Sequence, residues 1–364
     1  MTAESTATVP RRRLPSPSMP DLMRHPLTVA ALASVLAALV GAGCVLAAGV
    51  SPGAAGSALW DGMFGTDYAI GISLNQAALL ILVGGGFVVA ERTGLINIGG
   101  EGQICIGALA ATAVGVNAGG LPAAVAVPLV LVAGFAGGAV WAFPAAWLKV
   151  RRGTSEVITT LLLNFVGLGL VSLAVHENAL LRQPVTSAET LPQSEPLAAG
   201  AHLPLLGLVT SPATIAIVLA LVAAIGLGIL LRGTATGLKL TAVGLSAPAA
   251  ARLGLPVTRL EMASLACAGG FAGLAGAALV ATAPFVLSDG FSSGYGFQGL
   301  VVGLLGRGSM LGVVAAALLF GFLNSGGINL QLVAQVPAAT VQIVQSLLVI
   351  SIAGAMLWTR EANS

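Results

Sequence analysis

Nine stretches of this chain are apolar over about 20 residues, the length a helix needs to cross a hydrocarbon core about 30 Å thick. They run near 27 to 49, 70 to 90, 95 to 116, 122 to 147, 155 to 176, 211 to 231, 260 to 283, 309 to 328 and 338 to 358, and a shorter one lies near 295 to 306. With 57% hydrophobic and 8% charged residues the sequence sits far from soluble domains, which carry about 25% charge. It predicts an all-α, polytopic membrane helical bundle, with about ten transmembrane helices if the short segment crosses as a short or broken helix, and with both termini on one side. A single transmembrane domain then covers 27–358, after a Pro-rich, disordered cytoplasmic tail over 1–26 and before a C-terminal tail over 359–364.

Arg11-Arg12-Arg13 followed by an apolar run through Gly41-Ala42-Gly43-Cys44 superficially resembles a cleaved or lipidated leader. The run continues to Val50, and Gly41 stands where a lipidation site would want leucine, so it reads as a first transmembrane helix. With the N-terminus cytoplasmic, 14 of the 15 basic residues lie inside and only Arg182 outside, the direction of the positive-inside rule. Trp60, Tyr68 and Tyr295 then fall near the outer interface, and Trp147 and Trp358 near the inner one. A net charge of +2 gives no reason to expect nucleic acid. Cys44, Cys105 and Cys267 all lie in apolar stretches and read as small core residues.

Gly269, Ala272, Gly273 and Gly276 place small residues on one helix face, as do Gly134, Gly137 and Gly138, and Gly84 to Gly86 cluster likewise. Such faces let backbones approach and gain dispersion energy in lipid. They signal packing and carry no chemistry.

Glu91-Arg-Thr-Gly-Leu-Ile-Asn-Ile-Gly-Gly-Glu-Gly-Gln103 sets polar side chains and helix-breaking glycines between two apolar segments. A carboxylate such as Glu101 near hydrocarbon costs about 2.5 to 3.5 kcal/mol on insertion scales, so it must face protein or water and is a functional-site candidate. The plainer alternative is a cytoplasmic loop turned by its glycines.

Two connections stand out. The inner one, 232–259, contains Arg232, Lys239, Arg252 and Arg259 and no acid. Within it Ser246 can cap a helix with Ala247 and Pro248 in its first turn, while Gly254 and Pro256 stop it. A separately capped helix of about seven residues suits docking against a cytosolic partner, and an ordinary surface turn is the alternative. The outer connection, 177–210, is polar and Pro-rich, a length that is usually functional or disordered, and its functional use would be to receive an external binding protein.

No G-x-x-x-x-G-K-[ST] occurs, and the two lysines, Lys149 and Lys239, do not follow glycine, so the chain does not hydrolyse nucleotide through a P-loop. Gly294-Tyr-Gly-Phe-Gln-Gly299 matches G-x-G-x-x-G in letters alone, without a βαβ unit around it. His25, His176 and His202 fit no metal spacing. No G-x-S-x-G context supports a serine hydrolase. The sequence therefore predicts no catalytic residue, no metal site and no cofactor bound by this chain.

Gly94-Leu-Ile-Asn-Ile-Gly-Gly-Glu-Gly-Gln103, Glu156-Val-Ile-Thr-Thr-Leu-Leu-Leu-Asn164 and Gly294-Tyr-Gly-Phe-Gln-Gly-Leu-Val-Val-Gly-Leu-Leu-Gly-Arg307 together resemble the permease subunits of bacterial ABC importers for nucleosides and simple sugars, within the ribose and branched-chain amino acid permease superfamily. The order and spacing match over roughly 70 to 355. The resemblance implies a bacterial inner-membrane importer with a second permease subunit, expected to be a paralogue, a cytosolic ABC ATPase that carries ATP and Mg, and an extracytoplasmic substrate-binding lipoprotein. It makes Gly244 to Gly254 the coupling segment, with Gly244, Ser246, Ala249, Ala250, Arg252 and Gly254 as the ATPase-coupling residues. Ser246-Ala247-Pro248 stands where family members often read Asn-Pro, which keeps the cap and leaves individual contacts open. Asn97, Glu101, Gln103, Glu156 and Asn164 are expected at the translocation path or its inner gate, with Glu156 alternatively serving the helix dipole at the start of its span. Nucleosides come first as substrate, then simple sugars. The rival functions are an ion-gradient-driven secondary transporter, since broken helices and intramembrane carboxylates serve those too, and a membrane-embedded enzyme, which would need a constellation the sequence lacks.

Overall fold

The structure is a computed structural model that describes residues 39–186 and 190–337, with residues 35, 342, 343 and 346. The chain divides into two compact units, 1–44 with 342–364, and 45–341. Of the first, only a helical stretch at 39–44 and isolated residues are described. The predicted span at 27 to 49 is described over its second half, from 39, while nearly all of the one at 338 to 358 and both tails lie outside the described residues.

The second unit is helical throughout its regular structure. In chain order its helices are α1 (Pro52–Trp60), α2 (Asp67–Glu91), α3 (Gly100–Val116), α4 (Ala123–Arg152), α5 (Glu156–His176), α6 (Ala216–Gly233), α7 (Ala235–Leu245), α8 (Ala247–Arg252), α9 (Val257–Val280), α10 (Tyr295–Leu305) and α11 (Met310–Ala334). Six of them, α2, α4, α5, α6, α9 and α11, are long and apolar enough to cross a membrane, and α3 and α10 are shorter apolar helices. Eleven residues give α10 a length of about 16 Å, half of a hydrocarbon core, so this helix alone does not cross.

Two boundaries moved for local reasons. The span expected from 95 starts at Gly100, because Gly94 takes φ +78° and the Asn97 side chain accepts from the Gly99 amide at 3.0 Å, an Asx-type turn that keeps 95–98 out of the helix. The span expected to stop at 147 runs on to Arg152 and ends where Gly153 adopts the left-handed conformation at φ 68°, with Lys149, Arg151 and Arg152 in its last turn where cations favour the helix dipole. The sequence reading passed over α1 and α7. Both open on a side-chain cap, Ser51 accepting from the Ala54 amide and Thr234 from Gly237, signals that the membrane windows had overshadowed.

Helix α2 is the hub, packed against α6, α9, α10 and α11, and 83% of its most apolar window is buried. The glycine-rich faces expected from sequence are its contacts and those of its neighbours. A methyl on Gly273 would run into the Gly134 carbonyl oxygen, and one on Gly138 into that of Gly269, so α4 and α9 meet backbone to backbone. Gly86 of α2 faces Ala268 of α9, and Gly84 faces Gly299 and Gly303 of α10.

The outer connection is ordered where it is described. Ser194 donates its amide to the Leu287 carbonyl at 2.8 Å and accepts from the Leu287 amide on its hydroxyl, the Leu197 and Leu203 amides donate to the Phe285 and Ala281 carbonyls, and the His202 ring stacks on Phe285 at 3.7 Å. This strap closes over the ends of α3 and α9.

Candidate functional site

Three elements converge on the unwound run 92–99. Asn97 and Gln103 pair through both amide groups, Asn97 Nδ2 donating to Gln103 Oε1 at 2.8 Å and Gln103 Nε2 to Asn97 Oδ1 at 3.1 Å. On α5, Asn164 accepts from the Gly102 amide at 2.8 Å and donates to the Ile98 carbonyl at 2.9 Å. One turn earlier Thr160 accepts from the Ile98 amide at 3.3 Å while donating to the Glu156 carbonyl. Extended backbone in an apolar bundle leaves its amides and carbonyls orphaned, and these side chains satisfy them.

Glu101 does the same for a different element. It accepts from the Gly294 amide at 3.1 Å through Oε1 and from the Gly296 amide at 2.7 Å through Oε2. These donors belong to the first turn of α10, so a carboxylate on one helix caps the positive end of another. Gly296 sits so close to Glu101 that a Cβ there would meet its backbone.

Glu156 is the first residue of α5, and its Oε2 lies 2.8 Å from Lys149 Nζ on α4. Both the helix-dipole placement and an ion pair apply to it. All five residues expected at the path are between 1 and 8% exposed, so the structure brings Asn97, Gln103 and Asn164 into one network, seats Glu101 beside it against α10, and puts Glu156 two turns along the same helix as Asn164.

The inner connection folds as a hairpin of α7 and α8. Ser246 Oγ accepts from the Ala249 amide at 3.4 Å, Pro248 sits in the first turn, and Gly254 takes φ +78° beyond the end, as the sequence indicated. Ala250 is 2% exposed and packs inward against its own chain, where α8 buries one face on α7 and α9. The outward face is instead Ala249, Ala251 and Arg252, flanked by Leu245 and Leu253 at 83 and 79% exposure. Gly244, at the end of α7, lies against the backbone of Arg92 and Gly94, where a Cβ would meet the Arg92 carbonyl oxygen.

Sequence reasoning missed a second set of polar groups inside the apolar helices. Asn324 Nδ2 of α11 donates to Gln298 Oε1 of α10 at 2.7 Å, and both residues are half-buried. Ser325 donates to the Gly62 carbonyl and Asn329 to that of Ala58. Each is a polar residue within an apolar window, the signal that singled out Glu101.

Among the described residues no group of three His, Cys, Asp or Glu side chains could hold a metal ion. The fold and this network define a multi-pass helical membrane protein built around a pinned break between two of its helices. The chain belongs to the branched-chain amino acid transport system / permease component family, whose model matches residues 69–353. It is similar to the guanosine ABC transporter permease protein NupP of Bacillus subtilis, 34% identical over 90% of this chain and 93% of that protein. It is also similar to the glucose ABC transporter permease protein TsgB13 of Haloferax volcanii, 34% identical over 87% of this chain and 84% of that one. The nucleoside ABC transporter permease protein NupB of Lactococcus lactis is 31% identical over 81% of this chain and 82% of its own length. No solved structure matches the chain.

Proposed function

We propose that this chain is the membrane-spanning subunit of an ABC importer that carries nucleosides, with simple sugars as the second substrate class, across the bacterial inner membrane. ATP and Mg reside on a partner ATPase, and a second permease and an extracytoplasmic binding lipoprotein complete the assembly. In this reading α10 forms part of one broken crossing, which makes about ten spans with both termini cytoplasmic and turns the α7–α8 hairpin toward the ATPase.

One observation carries this reading. The hairpin that would meet the ATPase is joined to the break in the membrane through Gly244 against Arg92 and Gly94, and the break is joined to α5 by Asn164 and to α10 by Glu101. A displacement of α8 has a contiguous route into the bundle, which a gate driven from outside the chain requires. Leu245, Arg252 and Leu253 are the side chains that would enter the ATPase. The network of Asn97, Gln103, Asn164, Glu101 and Glu156 forms the framework of the inner gate. Gln298 and Asn324, half-buried and facing each other with amide groups, suit hydrogen bonding to sugar hydroxyls and base edges and are assigned to the path itself.

Reconstitution with the co-expressed second permease and ATPase, with the binding lipoprotein supplied on the substrate side, tests this. Labelled guanosine uptake should require ATP, and Gln298→Ala with Asn324→Ala should lower it at least tenfold while the assembly still forms. Uptake driven by a proton or sodium gradient through the permease alone would overturn the proposal in favour of a secondary transporter. Transport of glucose and not guanosine would reassign the substrate.

A further inference from the structure

Helices α6 and α11 do not close on each other at the end that carries Arg92 and Arg232. Between them lies a cavity of about 650 Å³ open at the side of the bundle. Leu221, Ile225, Gly228 and Ile229 form one wall and Met310 and Leu311 the other, and no acidic residue lines it. The two guanidinium groups stand at one end. Arg92 donates one Nη to the Gly308 carbonyl at 2.7 Å, and its Nε is buried without a partner, while Arg232 is exposed at the last turn of α6.

We propose that this groove holds one anionic phospholipid, its acyl chain along α6 and its phosphate at Arg92 and Arg232. Leu221 to Gly233 spans about 18 Å of helix, close to the depth of one leaflet. An apolar trough that ends in two cations and contains no acid is complementary to that one class of molecule, and a basic pocket between spans is a recognised seat for an acidic headgroup. A nucleoside or sugar would leave its hydroxyls unpaired against the leucine wall. The buried Arg92 Nε is a donor whose missing acceptor a phosphate oxygen supplies after a small side-chain shift. The site adjoins the Arg92 carbonyl on which Gly244 packs, so the headgroup would sit one residue from the joint between hairpin and membrane break.

The test uses the full chain purified in detergent, stripped of lipid and titrated with phosphatidylglycerol or phosphatidylcholine, with bound lipids counted by native mass spectrometry. One retained phosphatidylglycerol per chain, in preference to phosphatidylcholine, is expected. Arg232→Gln should weaken retention about fivefold, since each basic residue at the surface adds roughly 1 kcal/mol. Gly228→Leu should abolish it by filling the trough, into which a Cβ at Gly228 enters with only an ordinary 3.7 Å contact to Met310, and an unchanged thermal midpoint checks that the variant is folded. Equal binding of the two lipids, or unchanged retention in both variants, would overturn the proposal. So would cross-linking of an Ile225→Cys variant to a second copy of the chain, which would make the groove a protein interface.

Discussion

Replacing Glu101 by Ala removes the acceptor of two amides, Gly294 at 3.1 Å and Gly296 at 2.7 Å, at a side chain only 3% exposed. Hydrogen bonds to a charged partner contribute roughly 1.5 to 3 kcal/mol each, and a buried amide left unsatisfied costs about 1 to 3 kcal/mol. The two losses together come to about 4 kcal/mol, a fall of roughly 5 °C in the thermal midpoint of a 364-residue chain, at about 2.1 cal/mol/K of unfolding entropy per residue. Glu101→Gln keeps one oxygen but turns an amino group toward the other donor, so about half the loss should remain. The assay is thermal unfolding of the detergent-purified chain followed by tryptophan fluorescence, alongside uptake in vesicles. If Glu101→Ala unfolds at the wild-type temperature, the cap contributes nothing and the reasoning fails; lost uptake at unchanged stability would instead place the carboxylate on the substrate.

Two further outcomes follow from named contacts. Gly244→Val should leave ATPase binding intact but break the joint with Arg92, so that ATP is hydrolysed without transport; coupled uptake at wild-type stoichiometry would refute this. Lys149→Met strands Glu156 on α5 and should cost about 2 kcal/mol, less than the roughly 3 to 5 of a wholly buried pair because the lysine is a third exposed, and adding Glu156→Gln should recover most of it in a double-mutant cycle measured by unfolding.

The apolar windows located α2, α5, α6 and α9 to within a few residues, because burial in lipid requires a spanning length and the backbone then has one way to bond itself. The family resemblance rested on three motifs, which prove to be the unwound run with the first turn of α3, the first turns of α5 and the whole of α10. What they did not reveal was pairing. That Glu101 serves Gly294, almost two hundred positions along the chain, follows from tertiary placement and from no local pattern. The inward turn of Ala250 has the same origin, since a lone short helix has no periodicity long enough to show which face is covered. The capping signal at Ser246, by contrast, acts within four residues and was legible for that reason.

Along α4 and α9, the absence of side chains at Gly134, Gly138, Gly269 and Gly273 lets carbonyl oxygens rest against the opposing Cα atoms. Interlocked main chains resist sliding, since any axial shift drives an oxygen into the next methylene. These two helices therefore travel as one plank, and in the proposed importer the change of access falls to the thinner elements, the half-length α10 among them. A permease built this way rocks on its thin parts and leaves its thick seam unaltered.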